Sequence, residues 1–143
     1  MKILWTDGSA IPNPGAGGFV VIEELAGGEG KPVVLGCEKD STNIRMEGKA
    51  LIAAIKYAGE EGCEIHTDSE FWINVVTKWA PGWKMRGWRK SGGEIKNLDI
   101  VKELYELYEE YPVELVWVRG HVGTKLNEMA DEWANKAREG AEL

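Results

Sequence analysis

The sequence predicts an α/β protein, a five-stranded mixed sheet flanked by helices in the order β-β-β-α-β-α-α-β-α. Three short apolar runs separated by glycine-rich turns open the chain, as in an antiparallel meander. A helical repeat of apolar residues then lies between two further apolar runs, the pattern of a crossover joining parallel strands. Helical repeats continue to the C-terminus, interrupted by one more β-type run, VELVWV, so helices have both faces of a sheet to cover.

Residues 2–6, 19–24 and 32–37 are the first three strands. Over residues 44–58, Ala50, Leu51, Ala54, Ile55 and Ala58 recur at steps of three and four, and Gly59 and Gly62 end the helix. A short strand follows at 64–67. Residues 70–79 read as a helix carrying Phe71, Val75, Val76 and Trp79, and a basic segment rich in Gly and Trp comes after it. A helix over 98–111 ends at Pro112, and 113–118 is the fifth strand. The last helix, 127–138, turns Met129, Ala130, Trp133, Ala134 and Ala137 inward.

A chain of 143 residues, 43% hydrophobic and 29% charged, suits one compact domain over residues 1–143. No apolar run approaches the roughly 20 residues that cross a bilayer, and the N-terminus lacks a signal segment, so a cytoplasmic protein without membrane association is expected. Cys37 and Cys63 sit at the edges of apolar runs without metal-ligand spacing, which predicts buried free thiols. The net charge of -7 excludes a protein that coats nucleic acid with its whole surface. Charge is unevenly spread, however. Residues 83–96 carry Lys84, Arg86, Arg89, Lys90 and Lys96 against Glu94, a local balance of +4, which leaves the remainder at -11.

Two strands run into the same dipeptide, WTDGS at Asp7 and HTDSE at Asp68. Alone, Asp7 is accounted for as a turn former. Parallel neighbours would bring both carboxylates to the carboxyl-terminal edge of the sheet, where open α/β sheets bind ligands. Glu47 precedes Ala50, Leu51, Ala54 and Ala58 by 3, 4, 7 and 11 residues and so continues the inward stripe of its helix. A first-turn position favourable to the helix dipole also explains it. Clustered carboxylates without His or Cys suit hard cations such as Mg²⁺ or Mn²⁺. Two such ions can activate water at a phosphodiester, and a basic, Trp-interleaved segment can grip a phosphate backbone. Together these features indicate a nuclease. A noncatalytic nucleic-acid-binding module and an acidic scaffold with solvated carboxylates are the competing readings.

Several motifs, TDGS with NPGAGG (6–18), TNIRMEGKA (42–50), TDS (67–69), WAPGWKMRGWRK (79–90), KNLD (96–99) and VRGHVGTKLNEMADEWA (118–134), occur in an order and spacing that closely resembles type 1 ribonuclease H. The resemblance covers essentially the whole chain. It implies a ribonuclease H-like fold and endonucleolytic cleavage of the RNA strand of RNA/DNA hybrids, leaving 5′-phosphate and 3′-hydroxyl ends. It assigns Asp7, Glu47, Asp68 and Asp131 as ligands of two Mg²⁺ ions, with Mn²⁺ able to substitute, and His121 as a loop histidine assisting proton transfer or product release. It places Gly8, Ser9, Asn13 and Asn43 at the minor groove, and Thr42 and Asn97 at a DNA phosphate. Trp79, Trp83, Lys84, Arg86, Arg89 and Lys90 fall on the channel and basic protrusion (83–96) that hold the DNA strand. A monomer without a separate hybrid-binding domain is expected. Two positions depart from the pattern: Ile44 stands where relatives often carry Asn or Gln, and Asp40 where many have an Arg, weakening the phosphate grip unless Lys39 compensates.

Overall fold

In the computed structural model, which describes residues 1–119 and 124–143, the meander consists of β1 (Lys2–Ile11), β2 (Gly15–Glu24) and β3 (Gly30–Ser41). All three exceed their apolar cores. Residues 8–11, a loop by composition, pair with residues 16–19, so the turn is confined to residues 12–14. The ladder is made by backbone groups and needs no apolar side chain to continue.

Helix α1 (Asn43–Ala58) begins at Thr42, whose Oγ1 accepts the Arg45 N–H at 3.1 Å, and ends at Gly59, where φ is 57°. It returns the chain to β4 (Cys63–Thr67), parallel beside β1, and β5 (Val113–Trp117) lies parallel beside β4. The sheet order is β3-β2-β1-β4-β5.

Between β4 and β5 the expected helix over 70–79 runs further, to residue 85. It comprises α2 (Glu70–Asn74), a π turn (Val75–Trp79) and α3 (Ala80–Met85), and α4 (Leu98–Glu110) follows. Pro81 is tolerated because it stands in the first turn of α3, just after the wide turn in which the Ala80 N–H bonds the Val75 carbonyl. That turn adds a residue to the repeat. The buried stripe of Trp72, Val75 and Val76 therefore passes to Ala80, and Trp79 is left 41% exposed. Phe71 is also at the surface, whereas Trp72, outside the expected stripe, is the buried aromatic. Its indole N–H donates to the Ile44 carbonyl at 2.7 Å, pinning the first turn of α1.

Strand alternation divides the core in two. Leu4 and Ile65 face α1, α2 and α4, where Leu51, Ile55, Trp72 and Leu104 meet them. Trp5, Val20 and Ile22 face α5 (Lys125–Arg138) and pack on its Leu126, Ala130 and Ala134. Met129 and Trp133, expected inside, flank this contact half-buried, and Asn127 takes an inward place instead. At Gly18 the helix lies directly on β2: a Cβ there would come 2.5 Å from the Ala134 carbonyl oxygen. Both cysteines are free, Cys63 buried as expected and Cys37 exposed: it stands opposite Gly18 on the α5 face, but on an edge strand that the helix leaves partly uncovered. No described helix is long and apolar enough to cross a membrane.

Trp72→Ala is expected to cost about 3–5 kcal/mol in urea unfolding, the range for deleting a buried large aromatic side chain.

Candidate active site

The register of the parallel pair decides which acids meet. Trp5 stands opposite His66, so two residues further on Asp7 and Asp68 are level. Asp7 does not end its strand, as the sequence suggests. β1 continues along β2 with Asp7 opposite Val20, and it is the β1–β4 pairing that stops, at Trp5 and His66.

Glu47 arrives from above. At Gly8 a Cβ would overlap the Glu47 nitrogen and lie 2.6 Å from the Met46 carbonyl oxygen, so only glycine lets α1 rest this closely on β1. Asp7, Glu47 and Asp68 each present a carboxylate oxygen, and these atoms lie within 4.8 Å of one another. Asp7 is only 8% exposed.

Asp131, on the outward side of α5, stands outside that group but lines the same small cleft, about 80 Å³, with Asp7, Asp68, Asn127 and Glu128. Asn127 and Glu128 escaped the sequence reading; their signal is a place three and four residues before Asp131, on one helical face. Ser9 Oγ donates to Asn135 Oδ1 at 3.2 Å, and Asn135 Nδ2 donates to the Asp131 carbonyl at 3.1 Å, tying β1 to α5 beside the fourth acid. His121 lies outside the described residues.

Four of the polar residues assigned to substrate, Asn13, Thr42, Asn43 and Asn97, share one property. Asn13 Oδ1 accepts the Asn43 N–H at 3.1 Å, and Asn43 Oδ1 accepts the Ala10 N–H at 2.7 Å. Thr42 Oγ1 accepts the Arg45 N–H at 3.1 Å, and Asn97 Oδ1 accepts from Arg45 Nη1 at 3.2 Å. Each spends an acceptor inside the protein and keeps donor hydrogens to offer. Asn13, Thr42 and Asn97 line an open groove of about 540 Å³ with Pro14, Ile44 and Lys96. Asp40 and Lys39 are exposed, and neither lines it.

A second groove, about 340 Å³, runs between Phe71, Val75, Trp79, Trp83, Lys90 and Ile95. The Trp79 and Trp83 rings are 6.2 Å apart. Lys96 borders both grooves. Arg86, Arg89 and Lys90 are exposed and, among the described residues, enter no ion pair. Lys84 differs: it is held by Glu109 at 2.7 Å and lies over the Tyr105 ring.

The family model for RNase H matches residues 1–139. The chain belongs to the ribonuclease H family. It is 39% identical over 139 residues to the ribonuclease H of Acidiphilium cryptum (strain JF-5), covering 95% of this chain and 85% of that protein. With the ribonuclease H of Francisella philomiragia it shares 42% identity over 140 residues, 94% of this chain and 89% of the relative. Among solved structures, LC9-RNase H1, a type 1 RNase H with the type 2 active-site motif, matches with a TM-score of 0.79 at 31% identity, over 99% of this chain and 73% of that one. LC11-RNase H1, crystallised in complex with an RNA/DNA hybrid, has the same fold, with a TM-score of 0.69 at 24% identity over 97% of both chains. The chain is thus a type 1 ribonuclease H, an enzyme that hydrolyses the RNA strand of RNA/DNA hybrids.

The electrostatics of this ribonuclease H site call for a cation. Burial raises the Asp7 carboxyl well above the usual range, repulsion from Asp68, Asp131 and Glu47 adds to the rise, and a hydrogen bond from the Gly8 N–H opposes it. Glu47 is pushed up to about 7, chiefly by burial and then by Asp68, while a hydrogen bond from Ser69 opposes the rise. A set of three partly desolvated carboxylates fits a hard divalent ion.

Because the folded protein disfavours ionised Glu47, the metal-free enzyme loses stability as pH rises from about 4.5 towards about 7. Glu47→Gln should therefore stabilise the metal-free protein by about 2–3 kcal/mol at pH 8, and by almost nothing below pH 4. Thermal melts in EDTA at the two pH values check this.

Proposed function

We propose that Asp7, Glu47, Asp68 and Asp131 hold two Mg²⁺ ions, which Mn²⁺ can replace, and that the RNA strand is cut internally to leave 5′-phosphate and 3′-hydroxyl ends. The meeting of Asp7, Glu47 and Asp68 within 4.8 Å carries this reading. When bound, the ions activate the attacking water and neutralise charge on the phosphodiester. The acids come from β1, α1 and the end of β4, so the fold fixes their spacing before any ligand arrives. Asp131 approaches from α5 and closes the remaining side. His121, a titratable residue four positions before α5 in the sequence, serves proton transfer or product release.

Substrate recognition follows from donor chemistry. Asn13 and Asn43, with the backbone around Gly8 and Ser9, face the minor groove, whose base edges offer O2 and N3 acceptors and whose 2′-hydroxyls mark the RNA strand. Thr42 and Asn97 take a phosphate of the DNA strand. Trp79 and Trp83 line the DNA channel, and Arg86, Arg89 and Lys90 on the protrusion (83–96) neutralise its backbone. Lys84 joins them only by leaving Glu109. The ligand of LC11-RNase H1 supports the choice of an RNA/DNA hybrid. Residues 1–143 act as one catalytic domain and as a monomer. The nucleic acid substrate and two free thiols suit the cytoplasm.

Labelled RNA/DNA, RNA/RNA and DNA/DNA duplexes, each incubated with Mg²⁺ or with EDTA, test the assignment. Only the hybrid with Mg²⁺ should be cut, in its RNA strand. Asp7→Asn should lower kcat by about 10³-fold or more while the variant melts no lower than wild type; cleavage at the wild-type rate would remove Asp7 from the site.

A further inference from the structure

Arg45 lies in the first turn of α1, between Thr42 and Glu47 in the sequence, and does not itself line the groove of Asn13, Thr42 and Asn97. Its guanidinium grips Asp99 as a fork, Nη1 to Oδ1 at 3.1 Å and Nη2 to Oδ2 at 2.9 Å. The pair holds the Asp99 carboxyl below its usual range, the hydrogen bond from Arg45 contributing most. From this anchored position Nη1 also donates to Asn97 Oδ1, and the Arg45 backbone N–H donates to Thr42 Oγ1.

Only the bond to Asn97 comes from the Arg45 side chain; the bond to Thr42 is the cap of α1, made by the backbone N–H at position 45. An amide or hydroxyl at the rim of a groove can turn either an acceptor or a donor outward. With Oδ1 held by the guanidinium, Asn97 is left with its Nδ2 hydrogens, and Thr42 with its hydroxyl hydrogen. Asn97 is further fixed by a left-handed backbone, φ 57° and ψ 36°, at the start of α4. Lys96, beside it, enters no ion pair among the described residues and supplies positive charge. A rim of donors with one cation suits a phosphate, whose oxygens only accept.

We infer that Arg45 is a positioning residue of the substrate site: anchored by Asp99, its guanidinium fixes Asn97 as a donor toward one DNA-strand phosphate, beside Thr42, which the cap of α1 holds. The inference rests on the hybrid-binding reading above. Lysine cannot replace Arg45, because a single ammonium lacks the planar fork that serves Asp99 and Asn97 together.

A double-mutant cycle in steady-state hybrid cleavage tests it. Arg45→Lys and Asn97→Ala should each raise KM about 10-fold while kcat changes no more than about twofold, and the double variant should be no worse than Asn97→Ala. Asp99→Asn, which keeps Arg45 but loosens its anchor, should raise KM in the same direction and serves if Arg45→Lys melts early. If Asn97→Ala raises KM but Arg45→Lys does not, or if the two effects multiply, the positioning role is overturned and the groove reading survives. If Asn97→Ala leaves KM unchanged, the groove reading itself falls and takes the inference with it.

Discussion

Mutual repulsion among Asp7, Glu47 and Asp68 is the interaction on which the rest of the structure turns. Carboxylates this close and this poorly hydrated are driven apart or neutralised unless the backbone holds them. Here the backbone does so twice. The parallel register of β1 and β4 levels Asp7 with Asp68, and the contact at Gly8 lowers α1 until Glu47 reaches them. The opposing force is the packing of two cores, one on each face of the sheet. The packing thus keeps Asp7 and Glu47 buried and crowded, the state that raises both carboxyls and that a divalent ion would relieve.

The first turns of α1 serve two tasks at once. Thr42, Asn43 and Arg45 organise the donor rim, and Glu47, two residues later, belongs to the acid cluster. A single stretch of helix, locked by its Thr42 cap and by the Trp72 indole on Ile44, therefore sets the spacing between the rim and the acids. On the proposed reading, the interval along the duplex between the held phosphate and the cleaved bond follows from helix geometry and not from flexible side chains.

Much of this was legible in the sequence, for reasons that can be named. Asp7 and Asp68 stood out because two strands met an acid in the same way, and Glu47 because it broke an apolar stripe. Strand lengths were underread, since residues 8–11 and 15–18 bond through the backbone and leave no apolar trace. Trp79 falls on the apolar repeat only under a constant helical period across residues 75–79, where one additional residue slips the phase and leaves it exposed. Cys37 was misplaced because an apolar run does not reveal that its strand lies at the edge. Asn127 and Glu128 share a helical face with Asp131, but that face meets the other acids only through how α5 is set over β1 and β2. The donor polarity of the rim was hidden for the same reason, as it arises from partners as far apart as Arg45 and Asn97.

The uneven charge has its own outcome. Apart from the protrusion the chain carries -11, and Lys2, Lys49, Lys56 and Lys136 are paired with neighbouring acids, so little of the body attracts a polyanion. The molecule is an electric dipole with its positive end at residues 83–96. On the proposed reading, a duplex drifting past is turned away from most directions and drawn in from one, the side of the aromatic groove. At about 0.15 M salt this guidance fades within roughly 8 Å, which makes it a last-moment correction of approach and not a long-range capture.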